Sequence, residues 1–226
     1  MRTGTGRSPA SRIRGLYAIL DPSVILGPGK EEEDLDRALM EAKEGGCRLF
    51  QYRDKGAAGR LVLARAKRLS KACRAAGATF VVNDRLDIAL LSGAHGCHLG
   101  QDDLPVGAAR RIAPSGFLLG VSTHGREEAR RAELEGADYI GCGAVFPTST
   151  KRDAATPRGL GLVGEVVGAV MIPVVAIAGI TRENAGAVLR AGASAVAVIS
   201  DLFGTDGVRE RTREFITIWE NETRHL

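Results

Sequence analysis

The sequence has few aromatic residues, no closely paired cysteines and no long apolar run. Only 4% of its 226 residues are Phe, Trp or Tyr, so a core drawn from the 44% hydrophobic residues must be mainly aliphatic. No run of about 18 apolar residues occurs, which predicts no membrane-spanning helix. The cysteines lack CxxC spacing, which argues against zinc and favours reduced, buried thiols in a cytoplasmic protein. They are Cys47, Cys73, Cys97 and Cys142.

Excess charge of either sign is absent outside the first 15 residues. That segment holds four arginines and no acid, and removing them from the 31 lysines and arginines leaves 27, equal to the number of acids. The net positive charge of the chain therefore gives no argument for a nucleic-acid partner. Residues 1–15, rich in Gly, Ser and Arg, are predicted to form a disordered tail, with a short transit peptide as the alternative. Residues 16–226 are predicted to form one catalytic domain.

Short apolar runs alternate with helical patterns along residues 16–226. The predicted strands are 16–20, 48–53, 79–84, 96–100, 117–123, 139–145, 173–179 and 195–200. The predicted helices are 31–44, 58–76, 85–91, 105–112, 126–134, 162–170, 182–190 and 208–222. Several of these helices are followed by glycine, which ends a helix in a left-handed turn. Strict alternation with short connections indicates a parallel sheet with right-handed crossovers.

Eight such repeats predict a single (β/α)₈ TIM barrel. An open, doubly wound sheet is the competing α/β architecture, and it would normally carry a GxGxxG turn after the first strand. The sequence has Leu-Asp-Pro-Ser at residues 20–23 instead. Because a barrel carries its reactive groups at the carboxyl ends of the strands, polar residues at those ends are the candidate site.

The second predicted strand ends in a neutral amide and two cations. Gln51, Arg53 and Lys55 occupy alternate positions, so their side chains point to the same side of the strand. Arg offers a bidentate fork to a phosphate or diphosphate, and Lys offers a point charge. A solvated surface cluster is the alternative interpretation of these three residues.

Two hydroxyls and an ammonium group follow the sixth predicted strand. Thr148, Thr150 and Lys151 come just after the apolar run at 139–145. Hydroxyl and ammonium donors together satisfy the oxygens of a phosphate group. The sequence therefore predicts phosphate ligands at this strand end as well.

Carboxylates end the third and fourth predicted strands. The segments are Asn-Asp at 83–84 and Gln-Asp-Asp at 101–103. Two carboxylates from adjacent strands can share one Mg²⁺, which then bridges to a diphosphate. In the alternative interpretation, Asp84 caps the helix that begins at residue 85.

A second anion site is predicted after the seventh and eighth strands. Gly179 lies where the seventh strand leads into a helix, and residues 198–201 follow the eighth strand. These two loops and a helix N-terminus form the usual phosphate site of a barrel. Two anion sites imply two phosphorylated substrates or one bisphosphate.

Ser122 and His124 end the fifth predicted strand and raise the possibility of a nucleophile. Two residues on one strand end do not by themselves form a catalytic triad, and no orienting acid is evident in the sequence. Nucleophilic catalysis is therefore not the favoured hypothesis.

Taken in order, these segments resemble thiamine phosphate synthase. The resemblance covers about residues 15–220 and is specific only when its motifs are taken jointly. The motifs are QYRDK at 51–55, NDR at 83–85, HLGQDD at 98–103, GVSTH at 120–124, PTSTK at 147–151 and GIT at 179–181. One departure is Ala178, where that family commonly has a second glycine.

The resemblance implies an enzyme that joins hydroxymethylpyrimidine diphosphate to a thiazole phosphate, with Mg²⁺, and releases diphosphate. Its partners would be small molecules, with no nucleic acid or membrane, and a homo-oligomer is possible. The resemblance assigns the pyrimidine diphosphate to Gln51, Arg53, Lys55, Asn83, Ser122 and Lys151. Of these, Arg53, Lys55, Ser122 and Lys151 are expected to act in catalysis. It assigns Mg²⁺ to Asp84 and Asp103, and the thiazole phosphate to Thr148, Thr150, Gly179, Ile199 and Ser200.

Two alternatives stay open at this point. A thiazole tautomerase is a related barrel, in which His124 could transfer protons. Such a relative would need neither the 101–103 carboxylates nor the hydroxyls and lysine at 148–151. A non-catalytic ligand-binding barrel would be expected to have lost its cations or its carboxylates, and this sequence has both.

Overall fold

The computed structural model describes residues 9–150 and 155–224. Within these residues eight parallel strands close into a barrel in sequence order. The strands are β1 (Gly15–Leu20), β2 (Leu49–Tyr52), β3 (Thr79–Asn83), β4 (Gly96–Leu99), β5 (Leu118–Thr123), β6 (Tyr139–Cys142), β7 (Val174–Ile177) and β8 (Ala195–Val198). The predicted single TIM barrel is confirmed.

Helices cover the outside of the barrel between successive strands. They are α1 (Pro22–Ile25), α2 (Glu32–Glu44), α3 (Gly59–Ala75), α4 (Leu86–Leu91), α5 (Val106–Ile112), α6 (Arg126–Leu134), α7 (Gly159–Val167), α8 (Arg182–Arg190), α9 (Ser200–Phe203) and α10 (Val208–Thr223). The helix predicted at 162–170 begins and ends three residues earlier. The short helices α1 and α9 were not predicted, because a single turn is too short to show a helical period.

The buried residues form two layers, one on each side of the strands. The larger layer packs between the outer strand faces and the helices and includes Leu39, Leu69 and Phe80. The smaller layer fills the barrel interior and includes Tyr17, Leu49, Val81, Leu118 and Tyr139. Strands buried on both faces read as continuous apolar runs, which is why the sequence located them well. None of the described helices is long and apolar enough to cross a membrane.

Residues 9–15, which were predicted to belong to the disordered tail, have a defined structure. Residues Pro9–Arg12 form a 3₁₀ helix, and the Ile13 side chain is 1% exposed within the interior layer. The Arg14 guanidinium lies 5.9 Å from the ring centroid of Trp219 on α10. The described residues of this segment therefore pack on the barrel. The Ile13 side chain closes the end of the barrel at which the strands begin. Residues 1–8 lie outside the described residues.

Candidate active site

A cleft of ≈ 380 Å³ opens where the strands end. It is lined by the described residues that the sequence predicted for Mg²⁺ and the two phosphate groups: Gln51, Arg53, Lys55, Asn83, Asp84, Asp103, Ser122, Thr148, Thr150, Gly179, Ile199 and Ser200. Lys151, the remaining predicted residue, lies outside the described residues. The barrel thus brings together residues that are as far apart in sequence as residues 51 and 200.

Arg53 and Lys55 follow β2, and each faces a carboxylate. The Arg53 guanidinium donates to Asp21, whose side chain is 3% exposed at the end of β1. The Lys55 ammonium nitrogen lies 3.2 Å from Oδ2 of Asp84, and the lysine side chain is 53% exposed. An exposed pair of this kind adds little stability, so the ammonium can turn to an anion in the cleft. Asp21 was not predicted as a site residue.

Asp54 fixes the loop that carries these two cations. Its carboxylate accepts hydrogen bonds from the Tyr52 hydroxyl at 2.8 Å and from the Arg65 guanidinium at 2.7 Å. The N–H groups of residues 56 and 57 donate to its other oxygen at 3.1 Å. Burial raises the pKa of Asp54, but these hydrogen bonds outweigh burial and hold the pKa below its usual value.

The carboxylates of Asp84 and Asp103 lie beside each other. Burial raises the pKa of Asp103, and the neighbouring Asp84 carboxylate raises it further, while a hydrogen bond from the Gly100 N–H at 2.7 Å lowers it. Two carboxylates in contact repel each other, and a cation between them removes that repulsion. Among residues 9–150 and 155–224, no group of three or more His, Cys, Asp or Glu side chains could hold a metal ion. The described residues therefore offer two carboxylate ligands here.

Asp84 does not cap helix α4. Arg85 occupies the N-cap position, and no side chain makes a capping hydrogen bond there. Asp84 has a φ of 61°, in the left-handed region, and its N–H donates to the carbonyl of His98 at 2.7 Å. This conformation directs the carboxylate towards Lys55 and Asp103, so the alternative interpretation as a helix cap is excluded.

The loop after β7 presents backbone groups to the opposite side of the cleft. Gly179 has a φ of 62°, and a Cβ placed on it would lie 2.4 Å from the carbonyl oxygen of Pro147. Asn184 holds the turn, because its side chain donates to the Gly179 carbonyl at 2.9 Å and accepts from the Thr181 N–H at 2.9 Å. The loop therefore requires glycine at residue 179 and lies at the start of α8, where N–H groups favour anions.

Ser122 pairs with His98 and not with His124. Its hydroxyl lies 2.9 Å from Nε2 of His98, whereas Nδ1 of His124 lies 3.0 Å from Glu128 on α6. The group behind His98 is the phenol of Tyr139, at 3.1 Å from Nδ1. A neutral phenol cannot stabilise an imidazolium as the carboxylate of a triad does. The arrangement gives no support to a serine nucleophile.

Tyr17, His98 and Tyr139 form the floor of the site and were not predicted as site residues. All three are buried inside the barrel. The sequence contained a signal, because it has three tyrosines in total and two of them lie within otherwise aliphatic strands. A hydroxyl buried in an aliphatic interior needs a hydrogen-bond partner.

Comparison with known proteins gives consistent matches over most of the chain. The pattern of the family described as thiamine monophosphate synthase matches residues 16–202. A thiamine-phosphate synthase from Methanospirillum hungatei JF-1 is 45% identical over 201 residues, covering 89% of this chain and 95% of that protein. Another, from Shouchella clausii, is 40% identical and covers 91% of this chain and 96% of that protein.

Solved structures agree with the sequence matches. A thiamine phosphate pyrophosphorylase from Pyrococcus furiosus is 39% identical, with a TM-score of 0.84, over 95% of this chain and 98% of that chain. A 3-hexulose-6-phosphate synthase has a TM-score of 0.65 at 14% identity, which shows a shared fold alone.

Proposed function

Since the chain belongs to the thiamine monophosphate synthase family and is an enzyme, a transferase that makes thiamine phosphate, we propose the substrates and residue roles as follows. The cleft joins 4-amino-2-methyl-5-hydroxymethylpyrimidine diphosphate to a thiazole phosphate and releases diphosphate. The observation that carries this proposal is that two chemically different sets of anion-binding groups line one cleft. Cations and carboxylates line the β2–β4 side, and backbone amides and hydroxyls line the β6–β8 side.

The pyrimidine diphosphate occupies the β2–β5 side of the cleft. Arg53 and Lys55 bind the diphosphate, Arg53 through its planar fork and Lys55 as a point charge. Asn83, at the end of β3, and Ser122, at the end of β5, add neutral hydrogen-bonding groups. Gln51 lies deeper, at 4% exposure, and contacts the pyrimidine ring. Lys151 is proposed to bind the same diphosphate, and this assignment rests on the family resemblance alone.

Asp84 and Asp103 hold Mg²⁺. The fit rests on the two adjacent carboxylates, which repel each other and lie beside Lys55 of the proposed diphosphate site. Mg²⁺ is commonly bound by one or two carboxylates plus substrate phosphates and water, so two protein ligands suffice. When bound, the ion stabilises negative charge on the diphosphate.

The thiazole phosphate occupies the loops after β6, β7 and β8. Gly179 and Ser200 offer N–H groups close to the starts of α8 and α9. Thr148 and Thr150 lie across the cleft in one turn, where the Thr150 N–H donates to the Thr148 hydroxyl at 3.3 Å. Ile199, which precedes α9, completes this set.

The reaction is a dissociative displacement. The bond between the pyrimidine CH₂ group and the diphosphate oxygen breaks, and its electron pair leaves with the diphosphate. The electron-rich aminopyrimidine stabilises the resulting carbocation, and the thiazole nitrogen supplies the electron pair for the new C–N bond. Arg53 and Lys55 are placed to stabilise the charge that grows on the departing diphosphate. No protein nucleophile is needed, which agrees with the absence of triad geometry around Ser122.

The direct test is an assay of the purified chain with both substrates and Mg²⁺. Thiamine phosphate and diphosphate should form in equal amounts. Replacing Lys55 with Ala should lower kcat/KM for the pyrimidine diphosphate by about 10²-fold, the usual scale for one charged contact to a transition state. Conversion of a thiazole phosphate carboxylate without thiamine phosphate formation would instead favour the tautomerase alternative.

A further inference from the structure

A continuous chain of hydrogen bonds crosses the barrel interior beneath the cleft. Gln51 Nε2 lies 3.1 Å from the Tyr17 hydroxyl, which lies 2.9 Å from the Tyr139 hydroxyl. The Tyr139 hydroxyl lies 3.1 Å from Nδ1 of His98, and Nε2 of His98 lies 2.9 Å from the Ser122 hydroxyl. Five different strands supply the members, and both ends of the chain line the cleft.

The donors and acceptors along this chain can be ordered from one end. Burial raises the pKa of both Tyr17 and Tyr139, so each phenol keeps one proton to donate. The Gln51 amide nitrogen can only donate, so the Tyr17 oxygen accepts and its proton goes to Tyr139. The proton of Tyr139 in turn goes to Nδ1 of His98.

The order continues through the imidazole to the cleft. With Nδ1 of His98 acting as an acceptor from Tyr139, the ring hydrogen lies on Nε2 and is donated to the Ser122 oxygen. The Ser122 proton is then available to a ligand. At the other end, the nitrogen of the Gln51 amide is engaged with Tyr17, which leaves the carbonyl oxygen as the acceptor for a ligand.

We propose that Tyr17, Tyr139 and His98 are positioning residues that give the floor a fixed polarity, with an acceptor at Gln51 and a donor at Ser122. This inference rests on the proposed function, in which both end residues contact the pyrimidine. An aminopyrimidine matches the polarity, because its exocyclic amino group donates and a ring nitrogen accepts. A 4-oxo analogue reverses the pattern at the amino position, so it would place two acceptors together beside Gln51.

The strands leave room for this chain at two glycines. A Cβ on Gly120 would lie 2.1 Å from the Tyr139 ring, and a Cβ on Gly141 would lie 2.8 Å from the His98 ring. The Tyr17 and Tyr139 rings pack edge to face, with centroids 6.1 Å apart. Tight packing fixes the positions of the rings. The polarity of the floor therefore depends on which atom of each pair carries the hydrogen, and not on movement of the side chains.

The test combines substrate discrimination with the tautomer of His98. We expect the wild type to have a higher kcat/KM for the 4-amino than for the 4-oxo pyrimidine diphosphate. In Tyr139→Phe the ratio of these two kcat/KM values should fall about tenfold or more, because one directed hydrogen bond is lost. Nitrogen-15 NMR of the free wild-type protein should show the His98 hydrogen on Nε2, with loss of that single tautomer in Tyr139→Phe. Tyr17→Phe, which is one hydrogen bond further from Ser122 than Tyr139, should give a smaller change in both measurements.

Tyr52→Phe is the matched control. Tyr52 is the third tyrosine, is buried, and donates to Asp54 outside this chain. It should leave both the discrimination ratio and the His98 signals unchanged. A wild-type His98 hydrogen on Nδ1, or a Tyr139→Phe ratio within twofold of wild type, would overturn the inference. A wild-type enzyme that forms no thiamine phosphate would instead overturn the proposed function, because the tautomer is measured without turnover.

Discussion

Two consecutive residues of the loop after β7, Ala178 and Gly179, have positive φ angles of 84° and 62°. The left-handed region is open to glycine but costs other L-residues about 1–2 kcal/mol. Residue 178 is the position at which this sequence has alanine and the family resemblance predicts a second glycine. The structure gives a physical reason for glycine there, which is backbone conformation and not the size of the side chain.

Replacing Ala178 with Gly should raise the free energy of unfolding by about 1 kcal/mol, because the strain in the folded backbone is relieved. Denaturant titration would measure it. Gly179→Ala is the matched control and should act in the opposite direction, since its Cβ would collide with the Pro147 carbonyl. An Ala178→Gly protein that is less stable than wild type would show that the φ of this residue carries no strain.

The paired carboxylates give a second prediction at this scale. Asp103→Asn should raise the Mg²⁺ concentration for half-maximal activity at least about tenfold, because one of the two proposed protein ligands loses its charge. Asp102→Asn is the control, since Asp102 is exposed and adjacent in sequence. Steady-state rates against Mg²⁺ concentration make the comparison. Wild-type turnover that persists in excess EDTA would contradict the metal proposal.

At the scale of elements, the loop between β2 and α3 is held by an ion-pair network. Arg65 on α3 donates to Asp54 in the loop and to Glu32 on α2. The side chains of Arg65 and Asp54 are 9% and 6% exposed, so solvent screens this pair little. The network ties α2 and α3 to the loop that carries Arg53 and Lys55, the two cations predicted to bind the diphosphate.

Asp54→Asn should destabilise the protein by about 2–3 kcal/mol, because a buried guanidinium loses a charged partner. It should also weaken the pyrimidine diphosphate kcat/KM by loosening the loop. Asp36→Asn is the control, since Asp36 pairs with Arg68 at an exposed position and should change stability by less than about 1 kcal/mol. Equal losses in the two variants would mean that burial of the network is unimportant.

The same network predicts loss of stability in acid. A hydrogen bond with Arg65 lowers the pKa of Glu32, and the pKa of Asp54 is also lowered. A carboxyl group with a lowered pKa stabilises the fold fully above its unfolded pKa, near 4, and loses that contribution as the pH falls through the folded value. Thermal unfolding from pH 7 to pH 2 should therefore show a falling Tm below about pH 4. The fall should be shallower in Asp54→Asn, and an identical slope would contradict this origin.

At the scale of the whole molecule, the barrel opens into the cleft at one end and is closed at the other. Ile13 plugs the closed end, where it packs with interior residues such as Leu49 and Ala195. The N–H of Gly15 donates to the Ser194 carbonyl at 2.9 Å and joins the segment to the start of β8. The interior polar chain lies between this plug and the cleft.

Ile13→Ala should lower the free energy of unfolding by about 2–4 kcal/mol, the usual cost of removing a buried aliphatic side chain. A chain that lacks residues 1–8 is the control, and we predict from its composition that it keeps the wild-type Tm and kinetics. Thermal and denaturant unfolding of both proteins would decide the matter. An unchanged Ile13→Ala protein would show that the plug is dispensable.

Sequence alone determined the barrel and most of the cleft. Apolar runs mark strands because both of their faces are buried, and the strand ends converge in any closed parallel barrel. That is why Arg53, Lys55 and Gly179 could be predicted to lie in one cleft from their positions in the sequence. Their roles, and the role of Lys151, stay predictions.

Only the tertiary structure decided the contacts across the barrel. Tyr17 and Tyr139 are 122 residues apart, and nothing local in either strand predicts that they meet. The same holds for Ile13, whose burial depends on the barrel opening above it. Hydrophobic period and turn residues act over a few positions, whereas an interior partner is selected by closure and register. The polarity of the floor therefore became visible only when the eight strands were joined.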